Sequence, residues 1–434
     1  MRKVQTTIVA TVLTLAAAVL LAQQPASAPK APPPKYLWGK AFHILPETHS
    51  DESGYFSLCE GKNGKMYVGT AKYTQNSYLV EFDPKTEKQR IVIDTNKVCG
   101  LSATGYAAQA KIHTRNFAAP SGKIYVGSKQ GYRRGPEDKA EYPGGYVMVY
   151  DPATDKVENL GMPYKGQGII DVTADEPRGL IYVVTCEKQH WLLYDVKTKK
   201  YRELGPLLAG YMTTMVDAKG RANAVTKDFQ MASYDPATDK MTVREIVADG
   251  KKLTAEDLKT GPACWDMTAD GKTAYLIRLS DPTLFSIDLV GDGPTVSATN
   301  LGKMIDGTGI DSRGSLCLGP DGRVYCVIRV TNETGFGAGY LHHLVRYDPK
   351  AKKMEDLGVL AVKNPDFFGL PLDTNGAIDP ATGKPRPWTH GFHKLPDGTL
   401  TPLHVHMAAR VAQDGTVYVT IIYPFTLLQI PAIP

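Results

Sequence analysis

The chain has 434 residues, 42% hydrophobic and 22% charged, with 41 glycines, 30 prolines and 23 tyrosines. That mix favours many short strands joined by turns over packed helices. The net charge of +5 is mild and unclustered, so nucleic acid is excluded as an expected partner, although the sign suits an acidic ligand.

Arg2 and Lys3 precede an uncharged apolar stretch from Thr7 to Ala22, and Ala26-Ser27-Ala28 offers a small-residue cleavage pattern. Residues 1–28 therefore read as an export signal, with a cut after Ala22 as the alternative because Pro29 disfavours the later one. The protein is expected in the periplasm or outside the cell. Residues 29–35 read as a disordered Pro- and Ala-rich spacer, and 36–434 as the folded domain. No second apolar stretch is long enough to span a membrane. The six cysteines form no CxxC or CxxCH motif, so neither haem nor a zinc ribbon is expected, and no nucleotide cofactor is implied. One or two disulfides would suit an exported protein.

From Tyr36 onward one phrase recurs: an apolar strand, then Tyr or Phe, Asp, Pro and a short polar run. Copies are Phe82-Asp83-Pro84, Tyr150-Asp151-Pro152, Tyr194-Asp195, Tyr234-Asp235-Pro236 and Tyr347-Asp348-Pro349, with Ile287-Asp288 degenerate. Asp-Pro is turn chemistry between antiparallel strands. A second phrase, Gly followed by a β-rich run, precedes most copies, as in Gly64-Lys65-Met66-Tyr67-Val68 and Gly322-Arg323-Val324-Tyr325. Four strands recurring at intervals of roughly 40 to 60 residues predict propeller blades. The fold class is all-β: a seven-bladed β-propeller of four-stranded antiparallel blades. The last unit supplies only three strands, Met407–Ala412, Thr416–Ile421 and Thr426–Ile430, so a strand from Tyr36 to Ile44 is expected to complete it and close the ring.

The long insertions, Asp94–Lys111, Ser128–Gly145, Val247–Gly261, Arg329–Tyr340 and 358–403, all fall on one face, where function usually sits. Counting nine positions back from the turn glycine of each unit gives Tyr55, His113, Ile170, Tyr211, Pro262, Arg313 and His406 as the start of each innermost strand. Two His, two Tyr and an Arg would ring the mouth of the central channel, with Arg115 one step deeper. Such a ring suits proton transfer. In β-elimination from a uronate, Arg313 or Arg115 would neutralise the carboxylate. His113 or His406 would be the base, and Tyr55 or Tyr211 the acid. The expected partner is an acidic polysaccharide or oligosaccharide. His390, His393, His404 and His406 form an HxxH and an HxH pair that could hold a divalent metal, zinc, manganese or calcium.

This arrangement resembles the propeller-fold polysaccharide lyases, over about residues 36–432 in architecture. The oligogalacturonate type uses a His-rich metal site and the ulvan type uses His, Tyr and Arg. The resemblance implies roles for His113, His406, Tyr211 and Arg313. The Gln that lies three residues before the HxH pair in the first type is Thr401 here. In the second type a further histidine occupies the region where this chain has Lys129. Two other readings remain open: a non-catalytic glycan- or protein-binding propeller, and a metal-dependent hydrolase or lactonase on the same fold.

Overall fold

In a computed structural model of the protein, residues 31–50, 52–133, 135, 138–367 and 391–434 are described, with side chains throughout except those of 52–55. The expected signal lies outside them, as do the first residues of the spacer. No described helix is long and apolar enough to cross a membrane. All six cysteines are free thiols, so the structure contains none of the disulfides that export would allow.

Strand pairing groups most of the described strands into four-stranded antiparallel meanders, the blades. The first runs Glu52–Glu60, Met66–Ala71, Tyr78–Asp83, Lys88–Asp94. The second runs Phe117–Ala118, Ile124–Lys129, Val147–Asp151, Lys156–Gly161. The third is Ile169–Asp175, Leu180–Thr185, Trp191–Asp195, Lys200–Glu203. The fourth is Met215–Val216, Ala222–Val225, Gln230–Asp235, Lys240–Ala248. The fifth comprises Ala263–Met267, Thr273–Arg278, Asp281–Asp288, Thr295–Lys303. The sixth comprises Cys317–Leu318, Val324–Thr331, Tyr340–Asp348, Lys353–Val362. His406–Val411, Val417–Ile421 and Thr426–Ile430 make the last, and Tyr36–His43 supplies its outer strand, with Lys40 opposite Gln429 and His43 opposite Thr426. The same N-terminal strand pairs in parallel with the sixth blade, Tyr36 opposite Val359 through Gly39 opposite Val362. One strand thus covers two edges that would otherwise be open.

The recurrent aspartate acts locally. Asp83 Oδ1 accepts from the Lys85 amide at 2.9 Å, Asp151 from Ala153 at 2.9 Å, and Asp235 from Ala237 at 2.9 Å. The residue four places on then turns left-handed: Glu87 (φ 57°), Asp155 (φ 55°) and Asp239 (φ 54°). The side-chain bond makes that turn affordable for a non-glycine residue. The other turn uses Gly64 at φ 71° and Gly322 at φ 77°, where a Cβ would be strained.

The repeat also ties neighbouring blades together. The outer-strand Arg90 donates to Tyr150 Oη at 2.7 Å and Asp155 at 2.8 Å, both on the next blade. Arg202 does the same to Tyr234 and Asp239. Between blades the apolar faces interlock, with Trp191, Trp265, Tyr67, Tyr150 and Tyr182 almost wholly buried.

The insertion expected at 358–403 begins later, because the outer strand of the sixth blade continues to Val362. Residues 368–390 lie outside the described residues. The chain returns as a hairpin, Phe392–Lys394 against Leu400–Pro402, whose Thr401 hydroxyl donates to Leu360 O at 2.8 Å.

Candidate functional site at the channel mouth

The inner strands converge on the channel, and where they begin they enclose a cavity of about 230 Å³. Its wall is largely apolar: Phe56, Ile170, Pro262, Cys264, Trp265 and Leu279. Polar groups break that surface at Arg115, Arg313, Tyr211, Thr213 and Ser312. Four of the seven positions obtained by counting from the turn glycine therefore do line the mouth: Ile170, Tyr211, Pro262 and Arg313. Arg115 lines the same cavity.

Of the remaining three positions, His113 and His406 do not line the cavity. In the first blade, where the register shifts between Ser53 and Leu58, Phe56 lines the wall. The Tyr55 side chain lies outside the described residues. His113 is buried behind the wall, its ring edge-on to Phe56 at 5.7 Å and to Tyr211 at 5.8 Å. Burial, with Lys111 and Lys129 nearby, holds its pKa well below the usual histidine value. His406 is buried as well, and burial brings its pKa down to about 4. Its Nδ1 lies 3.0 Å from His342 Nδ1, a partner that counting did not reveal. One ring must donate and the other accept, so the two do not both carry a proton on Nδ1.

Tyr211 is partly exposed, at φ 60°, and its edge meets Phe56 at 5.3 Å. Burial of the phenol against its neighbours raises its pKa, so it faces the cavity as a protonated donor at neutral pH. Arg313 is held by Asp311 Oδ2 at 2.9 Å, and Arg329 lies 4.0 Å from the same oxygen.

Beneath the cavity stands a polar plug. Arg115 donates to Trp265 O at 3.2 Å and lies 3.9 Å from Asp266 Oδ1. Asp266 Oδ2 accepts from Arg410 at 3.3 Å and from the Leu318 amide at 3.0 Å. Asp171, fully buried alongside, accepts from the Thr214 amide at 2.8 Å and from the Thr173 hydroxyl at 3.0 Å. Its pKa is raised to about 6 by burial, against the opposing pull of Arg115. A second cavity, of about 340 Å³, opens on the far side, and Arg115 lines both.

Three of the four histidines proposed as metal ligands are described. His393 Nε2 lies 3.1 Å from Tyr340 O, His404 packs its ring 6.0 Å from that of Tyr340, and His406 contacts His342. His390 lies outside the described residues. Among the described residues, no three His, Cys, Asp or Glu side chains are grouped to hold a metal ion.

At the rim beside Tyr211, Lys111 Nζ lies 3.8 Å from the Tyr132 ring centre and 4.8 Å from that of Tyr73. Tyr132 is 57% exposed, the most solvent-facing aromatic ring of this rim.

No family model matches the chain, and no curated protein matches it. Among solved structures it is similar to the β-propeller domain of Cps50 (Swd1) from Myceliophteria thermophila, at TM-score 0.50 and 8% identity over 90% of this chain and 98% of that one. It is also similar to the WD40 repeats of RRP9, at TM-score 0.50 and 6% identity over 90% and 97%. At such identities the likeness concerns the fold alone, and that fold is a β-propeller.

Proposed function

We propose that this protein is a ligand-binding propeller whose channel mouth takes a carboxylate-bearing sugar, one residue of an acidic oligosaccharide. The observation that carries this reading is that Arg313 and Arg115 both line a cavity whose wall is largely apolar and aromatic. Guanidinium forks suit carboxylates, and apolar walls suit the flat face of a pyranose ring. A cavity of about 230 Å³ suits one sugar unit and leaves the rest of a chain to lie across the rim. We further propose that the protein is exported, on the strength of the charged and apolar N-terminal segments.

Catalysis by β-elimination is the second reading. It draws on Tyr211, a protonated hydroxyl at the cavity, with His113 packed directly behind it. His113 and His406 are buried and hard to protonate, so a base on that reading would have to act from behind the wall. This favours binding over lysis. A metal at the histidine pairs would have to be held with His390.

Calorimetric titration with uronate oligosaccharides and their neutral counterparts tests the first reading. Binding of the acidic series alone, weakened tenfold or more in Arg313→Gln, is expected. Equal affinity for the neutral series, or an unchanged Arg313→Gln, would reject it. Ultraviolet absorbance of an unsaturated uronate product, lost in Tyr211→Phe, would instead establish the lyase.

A further inference from the structure

Lys129 ends the second strand of its blade, and Cys186 directly follows the second strand of the next one. Both side chains are buried, and they meet across the blade boundary with Nζ 2.7 Å from Sγ. An N–H···O bond runs about 2.7–3.2 Å. Sulfur is larger than oxygen and ordinarily keeps a nitrogen donor further away. Here Nζ donates to Sγ at a distance that a single oxygen atom bonded to both would also span. The Glu187 carboxylate also binds Nζ and is itself partly exposed, so the pair lies just beneath the surface.

We propose that Lys129 and Cys186 are an oxidation site, where dioxygen joins Nζ to Sγ through a single oxygen atom. The step balances as thiol plus amine plus dioxygen giving an N–O–S bridge plus water. The S–H bond and one N–H bond break, and S–O and O–N bonds form. Sulfur and nitrogen each lose two electrons, dioxygen accepts all four, and its second oxygen leaves as water with the two released hydrogens. The bridge staples the second blade to the third.

It also changes the mouth. Lys129 is among the charges acting on both His113 and Tyr211. A nitrogen bonded to oxygen is far less basic than an amine, so bridging removes one cation beside the cavity. On the proposed binding function, which this consequence alone rests upon, the oxidised protein binds acidic sugars more weakly than the reduced one.

The test compares full-length protein purified in air with protein purified anaerobically under reductant, by intact mass and peptide mapping. The aerobic sample should contain a species heavier by one oxygen less two hydrogens, with the peptides of Lys129 and Cys186 joined. Dithiothreitol should reverse it, and Cys186→Ser and Lys129→Arg should lack it. Full alkylation of Cys186 after prolonged aeration, or its accumulation as sulfinic acid with the Lys129 peptide free, would overturn the proposal. Mapping the wild-type protein decides this even if a variant folds poorly. A titration of bridged and reduced protein with a uronate oligosaccharide should then show severalfold weaker binding in the bridged form. A bridge without that change would uphold the cross-link and reject the role of Lys129 at the mouth.

Discussion

Asp266 is the counter-charge of the channel plug, and replacing it with Asn isolates what that charge does. The substitution keeps the shape and one acceptor oxygen, so the bonds from the Leu318 and Met267 amides can be served in part. What disappears is the negative charge between Arg410 at 3.3 Å and Arg115 at 3.9 Å, leaving two guanidinium groups facing each other across the channel. Removing one partner of a fully buried ion pair costs about 3–5 kcal/mol. Here the side chains of Asp266, Arg115 and Arg410 are 18%, 19% and 24% exposed, so solvent screens part of the repulsion. The expected loss is about 2–3 kcal/mol. Urea denaturation should show a lower midpoint with an unchanged slope. The double variant Asp266→Asn with Arg410→Met removes one of the stranded cations and should regain about half of the loss. A single variant within about 0.5 kcal/mol of wild type, or a double variant no better than the single, would refute the view that Asp266 neutralises the plug.

Gly314→Ala would place a methyl group 1.8 Å from Phe56 Cδ1 and 3.0 Å from Met407 O, so the Phe56 ring must leave the cavity wall. A stability loss of about 1–3 kcal/mol is expected, with weaker uronate binding; a variant matching wild type in melting and titration would show that Phe56 does not shape the mouth. Asp171 is raised to about 6, so the native state takes up its proton before the unfolded chain does. Wild type should gain stability as pH falls from about 6 toward 4, by up to about 3 kcal/mol, and Asp171→Asn should lack that gain. Parallel slopes for the two proteins across this window would reject a strained carboxylate. His393 has the opposite sign: burial lowers its pKa to about 4, so the unfolded chain is protonated first and stability is lost as pH falls from about 6.5 to 4. His393→Gln, which can still donate to Tyr340 O, should be less acid-sensitive in the same denaturation series, and an unchanged acid response would contradict the assignment.

Two kinds of feature were legible in the chain. The blades were readable because their punctuation is local: an aspartate side chain binds an amide two residues on, and a glycine supplies a left-handed turn, whatever surrounds them. The closing strand was readable by subtraction, since three strands at the C-terminus demanded a fourth from Tyr36 onward. Counting from a glycine turn also located Ile170, Tyr211, Pro262 and Arg313 at the mouth, because an extended strand advances by a fixed rise per residue.

In the first blade, where the register shifts between Ser53 and Leu58, Phe56 lines the wall, and nothing in the residue types announced it. His113 and His406 occupy the counted positions yet lie behind the surface, since a position along a strand does not fix the depth at which its side chain ends. The contacts that give the mouth its chemistry join distant parts of the chain: Asp266 with Arg410, His342 with His406, Lys129 with Cys186. The repeating strands and turns have causes that lie within a few residues of one another, and so could be read along the chain. Which side chains share the channel depends on the packing of one blade against the next, which brings residues far apart in the chain within hydrogen-bonding distance.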